Sequence, residues 1–365
     1  MKKQTAWVHV LWILVFSTSA LAEKTPVWLS SKTGLARVFH DSETGKLSGL
    51  KIVAPSQSYD GFISMHPNKA IIYVLASVKQ GEEIHAYAID ENNELALINK
   101  LEGLPSGAAH IQINEQGTVL AVSYYNSSSI GLYSLTQDGK LSHTIHQEKV
   151  SGSSVHPSRQ KRSYPHGSVF NEQGNIAYFS DLGSDLIWAY KITGDTSATL
   201  LHKIKTPAGF GPRHIIFDKD YNFAYVTQEL IGGVSVYKHN VETGNLIAVQ
   251  HLNQVDDAAK ELWANVSDLQ IHPSGKFLYV VNRGFDQITA YRVSEQNGKL
   301  SFIENEPVRG SISRHIAISA DGKWLLAAGA NSGTLASFKI NSDGTLNYVR
   351  SIVSVETPKA VFFGR

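Results

Sequence analysis

One order of short apolar runs recurs along the chain, and this repeat restricts the folds that the chain can adopt. In one unit, His214-Ile-Ile-Phe is followed by a polar turn, then by Ala224-Tyr-Val-Thr, Val234-Ser-Val-Tyr and Gly244-Asn-Leu. If the first residue of the first run is taken as a marker, successive units begin 45 to 57 residues apart, at Phe62, His110, Gly167, His214, Asp268, His315 and Ala360. A period of this length indicates one repeat architecture rather than several unrelated domains.

Each unit contains four runs of β-branched and aromatic residues, separated by Gly, Asn or Asp turns and without a long helical period. Four short strands in a repeat of this length predict the blades of an all-β propeller. Six units are complete, and the seventh is divided between the two ends of the chain. Lys359–Phe363 matches only the first run, whereas the segment from Val27 to Leu47 matches the other three. We therefore predict a seven-bladed β-propeller with four antiparallel strands per blade, whose last blade is closed by both termini.

The composition excludes several classes of protein. Of the 365 residues, 42% are hydrophobic and 18% are charged, which suits a large apolar core and excludes a disordered chain. The formal net charge is +1, so no overall field favours nucleic acid or an anionic membrane. The chain has no cysteine, which excludes disulfides, thiolate nucleophiles and cysteine metal sites.

The first 22 residues have the pattern of a secretory signal peptide. Lys2 and Lys3 precede an apolar stretch from Ala6 to Phe16, and Ala20-Leu-Ala is typical of a cleavage site. The stretch is short for a membrane-spanning helix, although an uncleaved amino-terminal anchor is the alternative. We expect a signal peptide over residues 1–22, a single propeller domain over residues 23–365, and a periplasmic or secreted protein.

Two of the steps between units are longer than the others and mark insertions. The first insertion, Ser151 to Tyr164, carries Arg159, Lys161 and Arg162 and is either a solvated loop or a lid over a substrate. The second, Val255 to Trp263, is rich in helix-forming residues and predicts a short helix.

The blade geometry predicts where a site would lie. The first and second strands of a blade form an antiparallel hairpin, so the start of the first and the end of the second lie at one sheet edge. Around a propeller these positions form a ring at one mouth of the channel. The residues before the markers are Gly61, Ala109, His166, Arg213, Ser267, Arg314 and Lys359, and the second strands end at Asp181, Gln228-Glu229 and Asn282-Arg283. Charged and imidazole groups, including the marker His214, concentrate in units three to six, which indicates a functional site there.

Individual members of this ring also have structural interpretations. His166 follows a proline and could be a turn donor, Glu229 could form a structural ion pair with Arg213, and Arg283 could cap a turn. His110 and His315 are expected to bond neighbouring backbone groups. The sequence lacks an H-E-x-x-H zinc motif, a G-x-S-x-G elbow and a glycine-rich phosphate loop, so the ring is the main candidate.

Five motifs occur in order along the chain: Ser163-Tyr-Pro-His166, Ser180-Asp-Leu-Gly183, Gly211-Pro-Arg-His214, Glu229-Leu230 and Asn282-Arg-Gly284. Together they resemble the bacterial 6-phosphogluconolactonase family of seven-bladed propellers, which also includes the fungal carboxy-muconate cyclase. The resemblance extends from Val27 to Phe363. It implies an active site at one channel mouth, no required metal or cofactor, and catalytic groups on His166, Arg213, Glu229 and Arg283. Gln228, where the family usually has Asn, and the small pair Gly329-Ala330 depart from the family pattern.

The resemblance also implies the reaction, which is hydrolysis of a sugar δ-lactone to the open-chain aldonate by general acid/base attack of water. His166 is the favoured base, with Glu229 orienting Arg213 or the water, although Glu229 is the alternative base. The expected partner is a small sugar lactone of the gluconolactone or 6-phosphogluconolactone type, bound by Asp181, His214, Asn282, Arg314 and Lys359. Export favours an unphosphorylated lactone, whereas the basic groups favour a phosphate or carboxylate. A muconate-type lactonising cycloisomerase and a non-catalytic envelope binding module are the alternatives.

Overall fold

Seven four-stranded antiparallel sheets form the described part of the protein. In the computed structural model this part comprises residues 24–56, 59, 61–79, 81–253 and 265–364. The expected signal peptide, residues 1–22, and the helix predicted for Val255–Trp263 lie outside it. No helix within it is long and apolar enough to cross a membrane.

The strands follow the predicted order of four per blade, and we number the blades along the chain. Blade 1 has β4 (Ile63–Met65), β5 (Ile71–Val78), β6 (Gly81–Ile89) and β7 (Leu95–Leu104). Blade 2 has β8 (Ala108–Ile113), β9 (Val119–Tyr124), β10 (Ser129–Leu135) and β11 (Leu141–Lys149). Blade 3 has β12 (Pro165–Phe170), β13 (Ile176–Asp181), β14 (Leu186–Thr193) and β15 (Ser197–Lys205). Blade 4 has β16 (Pro212–Phe217), β17 (Phe223–Gln228), β18 (Gly233–Asn240) and β19 (Asn245–Asn253), with a 3₁₀ turn at Glu229–Ile231.

The remaining three blades complete the set. Blade 5 has β20 (Val266–Ile271), β21 (Phe277–Asn282), β22 (Gln287–Val293) and β23 (Leu300–Pro307). Blade 6 has β24 (Ser313–Ile318), β25 (Trp324–Gly329), β26 (Thr334–Ile340) and β27 (Leu346–Ser354). Blade 7 has β28 (Ala360–Phe363) with β1 (Lys24–Ser31), β2 (Gly34–Asp41) and β3 (Leu47–Pro55).

The first strands of the blades form a closed ring around the channel. Each contacts the first strand of the next blade, and β28 of blade 7 contacts both β24 and β4. Blade 7 joins the two ends of the chain, because β28 pairs with β1 in the register Val27↔Phe363 and Leu29↔Val361. The predicted seven-bladed propeller with a shared closing blade is therefore confirmed.

The hydrophobic core is divided between neighbouring blades. Second strands such as β9 and β21 are buried along their whole length, because an adjacent blade covers each of their faces. In blade 3, for example, Phe179 belongs to the same buried cluster as Ala121 and Leu132 of blade 2. The fourth strands are more exposed and form the outer rim of the disc.

Irregular pairing at the start of the first strands determines which side chains face the channel mouth. In β12, Pro165 pairs with Asp181 and Gly167 with Ser180, so His166 is the additional residue of a β-bulge. The same irregularity recurs in four further blades, at Ala109, at Arg213-His214, at Ser267 and at Arg314. A bulge redirects the side chain of the extra residue, so the residues that precede the markers are turned out of the regular strand pattern.

Candidate active site

A cavity lies at the channel mouth where the bulges occur. It has a volume of about 140 Å³ and is lined by Gly61, Phe62, Ala108, Ala109, His166, Arg213, Arg314 and Lys359. Such a volume is about ten times the roughly 10–15 Å³ that one water molecule requires, so a small molecule is the appropriate occupant. Six of the seven residues that precede the markers line this cavity, and the exception is Ser267 of blade 5.

The wall of the cavity is electrically asymmetric. Blades 3, 4, 6 and 7 contribute His166, Arg213, Arg314 and Lys359, whereas blades 1 and 2 contribute only glycine, alanine and phenylalanine. Three cationic side chains therefore face an apolar wall across a small space. This arrangement favours a ligand with a negative or strongly polar group at one end.

Glu229 is the centre of a buried cluster beside the cavity. It begins the 3₁₀ turn after β17 and is only 2% exposed. Its Oε1 lies 2.5 Å from Nη2 of Arg159, and its Oε2 lies 2.9 Å from Nε of Arg213 and 3.1 Å from Nη2 of Arg283. Burial raises the pKa of Glu229, but the three guanidinium groups outweigh it and lower that pKa below its ordinary value. Glu229 is therefore an ionised anchor for three arginines and is poorly suited to accept a proton.

Arg213 is the member of this cluster that also lines the cavity. Burial is the main cause that lowers its pKa, to about 9, and Arg283 contributes while Glu229 opposes the change. That value is above neutral pH, so the guanidinium remains charged. Its Nη1 donates to the carbonyl of Ser267 and to Nε2 of His214. No hydrogen-bond partner contacts Nη2 among the described residues.

His166 is a half-buried imidazole on the same wall. Its ring makes edge contacts with Tyr125 at 5.6 Å and with His214 at 5.3 Å between centroids. Its Nδ1 is buried and has no partner among the residues that the structure describes. Burial, and then the charges of Arg213 and other cations, hold the pKa of His166 well below its ordinary range. The imidazole is therefore neutral at pH 7, the protonation state that a general base requires.

A second layer of buried side chains lies beneath the cavity and contacts Phe62 of its wall. Asp268, only 2% exposed, accepts from Nδ1 of His214 at 2.8 Å and from the backbone N–H of Ile316 at 3.0 Å. His315 lies on the other side, with Nε2 3.6 Å from Asp268 Oδ2, and accepts from the backbone N–H of Val361. Burial raises the pKa of Asp268, but His315 and His214 outweigh it and lower that pKa to about 2.

Two expected substrate ligands have other tasks in the structure. Asp181 is fully buried; its Oδ1 accepts from the backbone N–H groups of Tyr164, Gly183 and Ser184, and its Oδ2 accepts from Trp188 Nε1. Asn282 is also fully buried, and its Oδ1 accepts from the N–H of Gly284. Both side chains hold turns at the end of second strands, and neither lines the cavity. We therefore leave Asp181 and Asn282 out of the proposed site.

The insertion between blades 2 and 3 supplies a residue that the sequence did not single out. Arg159 projects from it to Glu229 across 70 positions of the chain. The insertion is fixed by Gln160, which is fully buried and donates to the carbonyl of Leu182. The sequence signal for this contact was only that the insertion is basic, which a solvated loop would share. The insertion is therefore not a purely solvated loop, and none of its residues is among those that line the cavity, so a role as a lid stays a prediction.

His110 and His315 have the structural contacts expected of them. His110 Nδ1 accepts from the backbone N–H of Ser168 at 3.3 Å and lies 3.0 Å from its hydroxyl. Within the described ranges, no group of three or more His, Asp or Glu side chains has the arrangement of a metal site. The polar side chains that line this mouth and could act on a ligand are those of His166, Arg213, Arg314 and Lys359.

The comparisons with known proteins agree with this fold over nearly the whole chain. The profile of the family described as "Lactonase, 7-bladed beta-propeller" matches residues 25–363. A 6-phosphogluconolactonase of Formosa agariphila is 32% identical over 287 residues, which cover 76% of this chain and 80% of that protein. A 6-phosphogluconolactonase of Bacillus subtilis is 28% identical over 326 residues, which cover 88% of this chain and 92% of that protein. The solved structure of the periplasmic gluconolactonase PpgL of Pseudomonas aeruginosa has a TM-score of 0.87 at 24% identity, and the match covers 94% of this chain and 99% of that one. The chain belongs to the seven-bladed β-propeller lactonase family.

Proposed function

We propose that this protein hydrolyses a sugar δ-lactone at the channel mouth. The observation that carries the proposal is the neutral imidazole of His166 on the same cavity wall as Arg213, which Glu229 holds in place. Lactone hydrolysis needs a base for the attacking water and a cation or donor for the developing oxyanion. The names of the relatives, 6-phosphogluconolactonase and gluconolactonase, are consistent with this chemistry.

In the proposed mechanism, His166 removes a proton from water as the oxygen attacks the lactone carbonyl. Arg213 stabilises the negative charge that develops on the carbonyl oxygen, and Arg283, which lies behind the cavity wall beside Glu229, adds to the positive field there, in an environment where burial strengthens electrostatic interactions. The ring C–O bond then breaks, and the leaving alkoxide takes the proton from the imidazolium of His166. Glu229 serves as the counter-ion that orients both arginines.

The charge of the cavity favours an anionic lactone as the substrate. The cavity is lined by three cations, Arg213, Arg314 and Lys359. A fourth cation, Arg283, lies 3.1 Å from the Glu229 carboxylate that also contacts Arg213. Burial is the main cause that lowers the pKa of His166, and the cations lower it further. A phosphate or carboxylate bound beside them would offset their field and make His166 a stronger base in the complex. A substrate that carries its own negative charge would therefore improve the base that acts on it.

Turnover of glucono-δ-lactone and of its 6-phosphate, measured above spontaneous hydrolysis, tests this proposal. We expect both lactones to react, with the larger kcat/KM for the phosphorylated one. His166→Asn and Arg213→Ala should each lower kcat about 100-fold or more. Lys161→Ala, an exposed cation on the insertion, is the control that should retain activity. Equal rates in the wild type and in both site variants would reject the assignment.

The same cationic wall would also suit a dicarboxylate, which makes a muconate-type cycloisomerase the second candidate. In that reaction the arginines would bind the carboxylates and a protonated group would deliver a proton during ring closure. The low pKa of His166 argues against it, because the imidazole is neutral and cannot donate at pH 7. Turnover of a muconate in the absence of lactone hydrolysis would reverse this preference.

We also propose that residues 1–22 direct export and that residues 23–365 form the mature enzyme. The basis is the charged, apolar and small-residue order of the first 22 positions. Amino-terminal sequencing of the protein recovered from a periplasmic fraction tests both statements. A mature protein that begins near Glu23 is the expected result, and an intact leader in the membrane fraction would contradict it.

A further inference from the structure

A chain of polar contacts runs from the buried layer beneath the cavity to Arg213. Nδ1 of His214 lies 2.8 Å from Asp268 Oδ1, and Nη1 of Arg213 lies 3.1 Å from His214 Nε2. The carboxylate can only accept and the guanidinium can only donate. The two partners therefore fix one tautomer of His214, in which Nδ1 carries the proton and Nε2 accepts from Arg213.

These contacts account for most of the donors of Arg213. Its Nε faces Glu229 at 2.9 Å, and its Nη1 is held by His214 and by the carbonyl of Ser267. Within the described residues neither Nε nor Nη2 makes a hydrogen bond, but Nε contacts the Glu229 carboxylate, so Nη2 is the nitrogen that this side chain of the cavity wall leaves for a ligand. The guanidinium is thereby held through Nε and Nη1, and the N–H groups of Nη2 between them remain available to a ligand.

The support beneath Arg213 is rigid because it joins three blades. His214 lies in β16 of blade 4, Asp268 in β20 of blade 5, and the N–H that binds Asp268 Oδ2 belongs to Ile316 of blade 6. The three side chains that make these polar contacts, Arg213, His214 and Asp268, are each at most 4% exposed. Burying a carboxylate lowers the stability of the fold unless the carboxylate is fully paired. Asp268 is paired with His214, which in turn contacts Arg213 of the site.

We propose that His214 and Asp268 are positioning residues for lactone hydrolysis, which hold Arg213 with Nη2 directed to the carbonyl oxygen of the substrate. This inference rests on the proposed function, because Arg213 is given its role there. Outer partners of this kind fix the orientation of a catalytic group, and a misplacement of about 1 Å can cost about 100-fold in rate.

Two substitutions at His214 separate its two contacts. In His214→Asn the amide nitrogen reaches the place of Nδ1, so the contact with Asp268 is kept and that with Arg213 is lost. In His214→Gln the amide oxygen reaches the place of Nε2, so the contact with Arg213 is kept. We expect His214→Asn to lower kcat about 10- to 100-fold with KM changed less than about threefold, and His214→Gln to recover most of this loss.

His110→Gln is the matched control. His110 lies in the same buried layer as His214, at 4.9 Å between ring centroids, but bonds Ser168 rather than Arg213. We expect this variant to lower the unfolding temperature as much as His214→Gln does and to retain kcat. A loss of kcat in His110→Gln equal to that in His214→Asn would assign both histidines to general support of the fold and would overturn the proposal.

A double-mutant cycle gives the decisive measurement. If His214 acts through Arg213, adding His214→Asn to Arg213→Ala should change kcat by less than about twofold, because the residue to be positioned is absent. If the two losses multiply in full, His214 acts independently of Arg213 and the proposal fails.

A spectroscopic readout separates this inference from the proposed function. Long-range ¹H–¹⁵N spectra of the wild-type protein at pH 7 should show His214 protonated at Nδ1, and Asp268→Asn should give a mixture of tautomers. Nε2 protonation in the wild type would overturn the positioning chain even in an active lactonase. A wild-type protein that shows the Nδ1 tautomer but hydrolyses neither lactone would instead reject the proposed function, together with the catalytic purpose of the pair.

Discussion

Glu229 is surrounded by more positive charge than it can neutralise. One carboxylate contacts Arg159, Arg213 and Arg283 at 2.5 to 3.1 Å, and burial excludes the water that would otherwise screen them. The cluster is therefore held together by Glu229 and remains cationic as a whole. A site with this balance is stabilised further when an anion binds.

Glu229→Gln tests this interpretation by replacing one carboxylate oxygen with an amide nitrogen. The amide preserves the shape of the side chain and removes the charge, which leaves three cations without a counter-ion. We expect the free energy of unfolding to fall by about 3–5 kcal/mol and kcat/KM to fall about 100-fold. Urea unfolding and lactone turnover measure the two effects, and wild-type turnover in Glu229→Gln would contradict the role. Glu82→Gln is the control, because Glu82 is buried and bonds Ser77 and Gly107 outside the cavity wall.

The environment of His166 predicts the pH dependence of the reaction. Since burial and the cations hold the pKa of His166 well below the ordinary value of 6.5, the base is lost only at a pH well below that value. We expect kcat/KM for unphosphorylated glucono-δ-lactone to be level from pH 6 to 8 and to decline only below that range. The unphosphorylated substrate is needed because a phosphate titrates in the same region. A midpoint near 6.5 would show that the free enzyme uses an unperturbed histidine or another group.

At the scale of elements, the insertion from Ser151 to Tyr164 acts as a fixed arm. Gln160 anchors it to Leu182, and the hydroxyl of Ser128 donates to the carbonyl of Ser163. Arg159 is the one residue of the arm whose side chain reaches Glu229. These contacts hold the arm against the rest of the propeller and place the Arg159 cation beside Glu229.

Arg159→Ala removes that cation and leaves the arm in place. We expect kcat/KM for the phosphorylated lactone to fall about tenfold, mainly through KM, because Arg159 is about one-third exposed and strengthens the field rather than contacting the reacting atoms. Steady-state kinetics at low and high salt measure the effect, which should be smaller at high salt. Lys161→Ala removes the same charge from an exposed position of the arm and should leave KM unchanged. An equal rise in KM in the two variants would show that only the overall charge of the arm matters.

The strands could be predicted because each is specified by the pattern of apolar residues within its own segment of the sequence. The details of the site depend on contacts between distant segments, which no such pattern encodes. Runs of alternating and continuous apolar residues located the blades, and pairing rules placed His166, Arg213, Arg314 and Lys359 at one edge. The bulges were not predicted, because the additional residue in β12 is defined only by the register of its partner strand. The contact between Arg159 and Glu229 joins distant segments of the chain, and the internal pairing of Asp181 depends on the conformation of a turn.

The whole molecule buries several neutral histidines, and this has consequences for its stability in acid. His40 packs against Trp324 and Phe363 at 5.3 and 5.2 Å, and burial is the main cause that lowers its pKa to about 4. Burial, followed by Arg213, similarly lowers the pKa of His214 to about 4. Between about pH 4 and 6.5 the unfolded chain therefore binds protons that the folded chain does not. The free energy of unfolding must therefore decrease as the pH falls through this interval. Above the interval, the stability that the neutral histidines contribute is fully present.

Calorimetry from pH 4.5 to 8 tests this prediction. We expect the unfolding temperature to be level above about pH 7 and to fall by at least about 5 °C between pH 6.5 and 4.5. His40→Phe should make the decline shallower, because one of the groups that takes up a proton on unfolding is removed. The slope is the measure, since a poor fit of phenylalanine would lower the unfolding temperature equally at every pH. An unfolding temperature that rises on acidification would contradict the assignment.

The blade that is shared by both termini also determines when, during synthesis, the cavity wall can be completed. The cavity takes Gly61 from the early part of the chain and Lys359 from the segment just before β28, and β28 closes the ring against β1 and β4. During synthesis, a ribosome that has made six complete blades has still not made Lys359, the last residue of the cavity wall. A nascent or prematurely terminated chain that stops before Lys359 therefore lacks one part of the cavity wall, however well its finished blades have folded. The ring around the cavity is thus completed only when one strand of 4 residues, β28, pairs with β1 from the beginning of the chain.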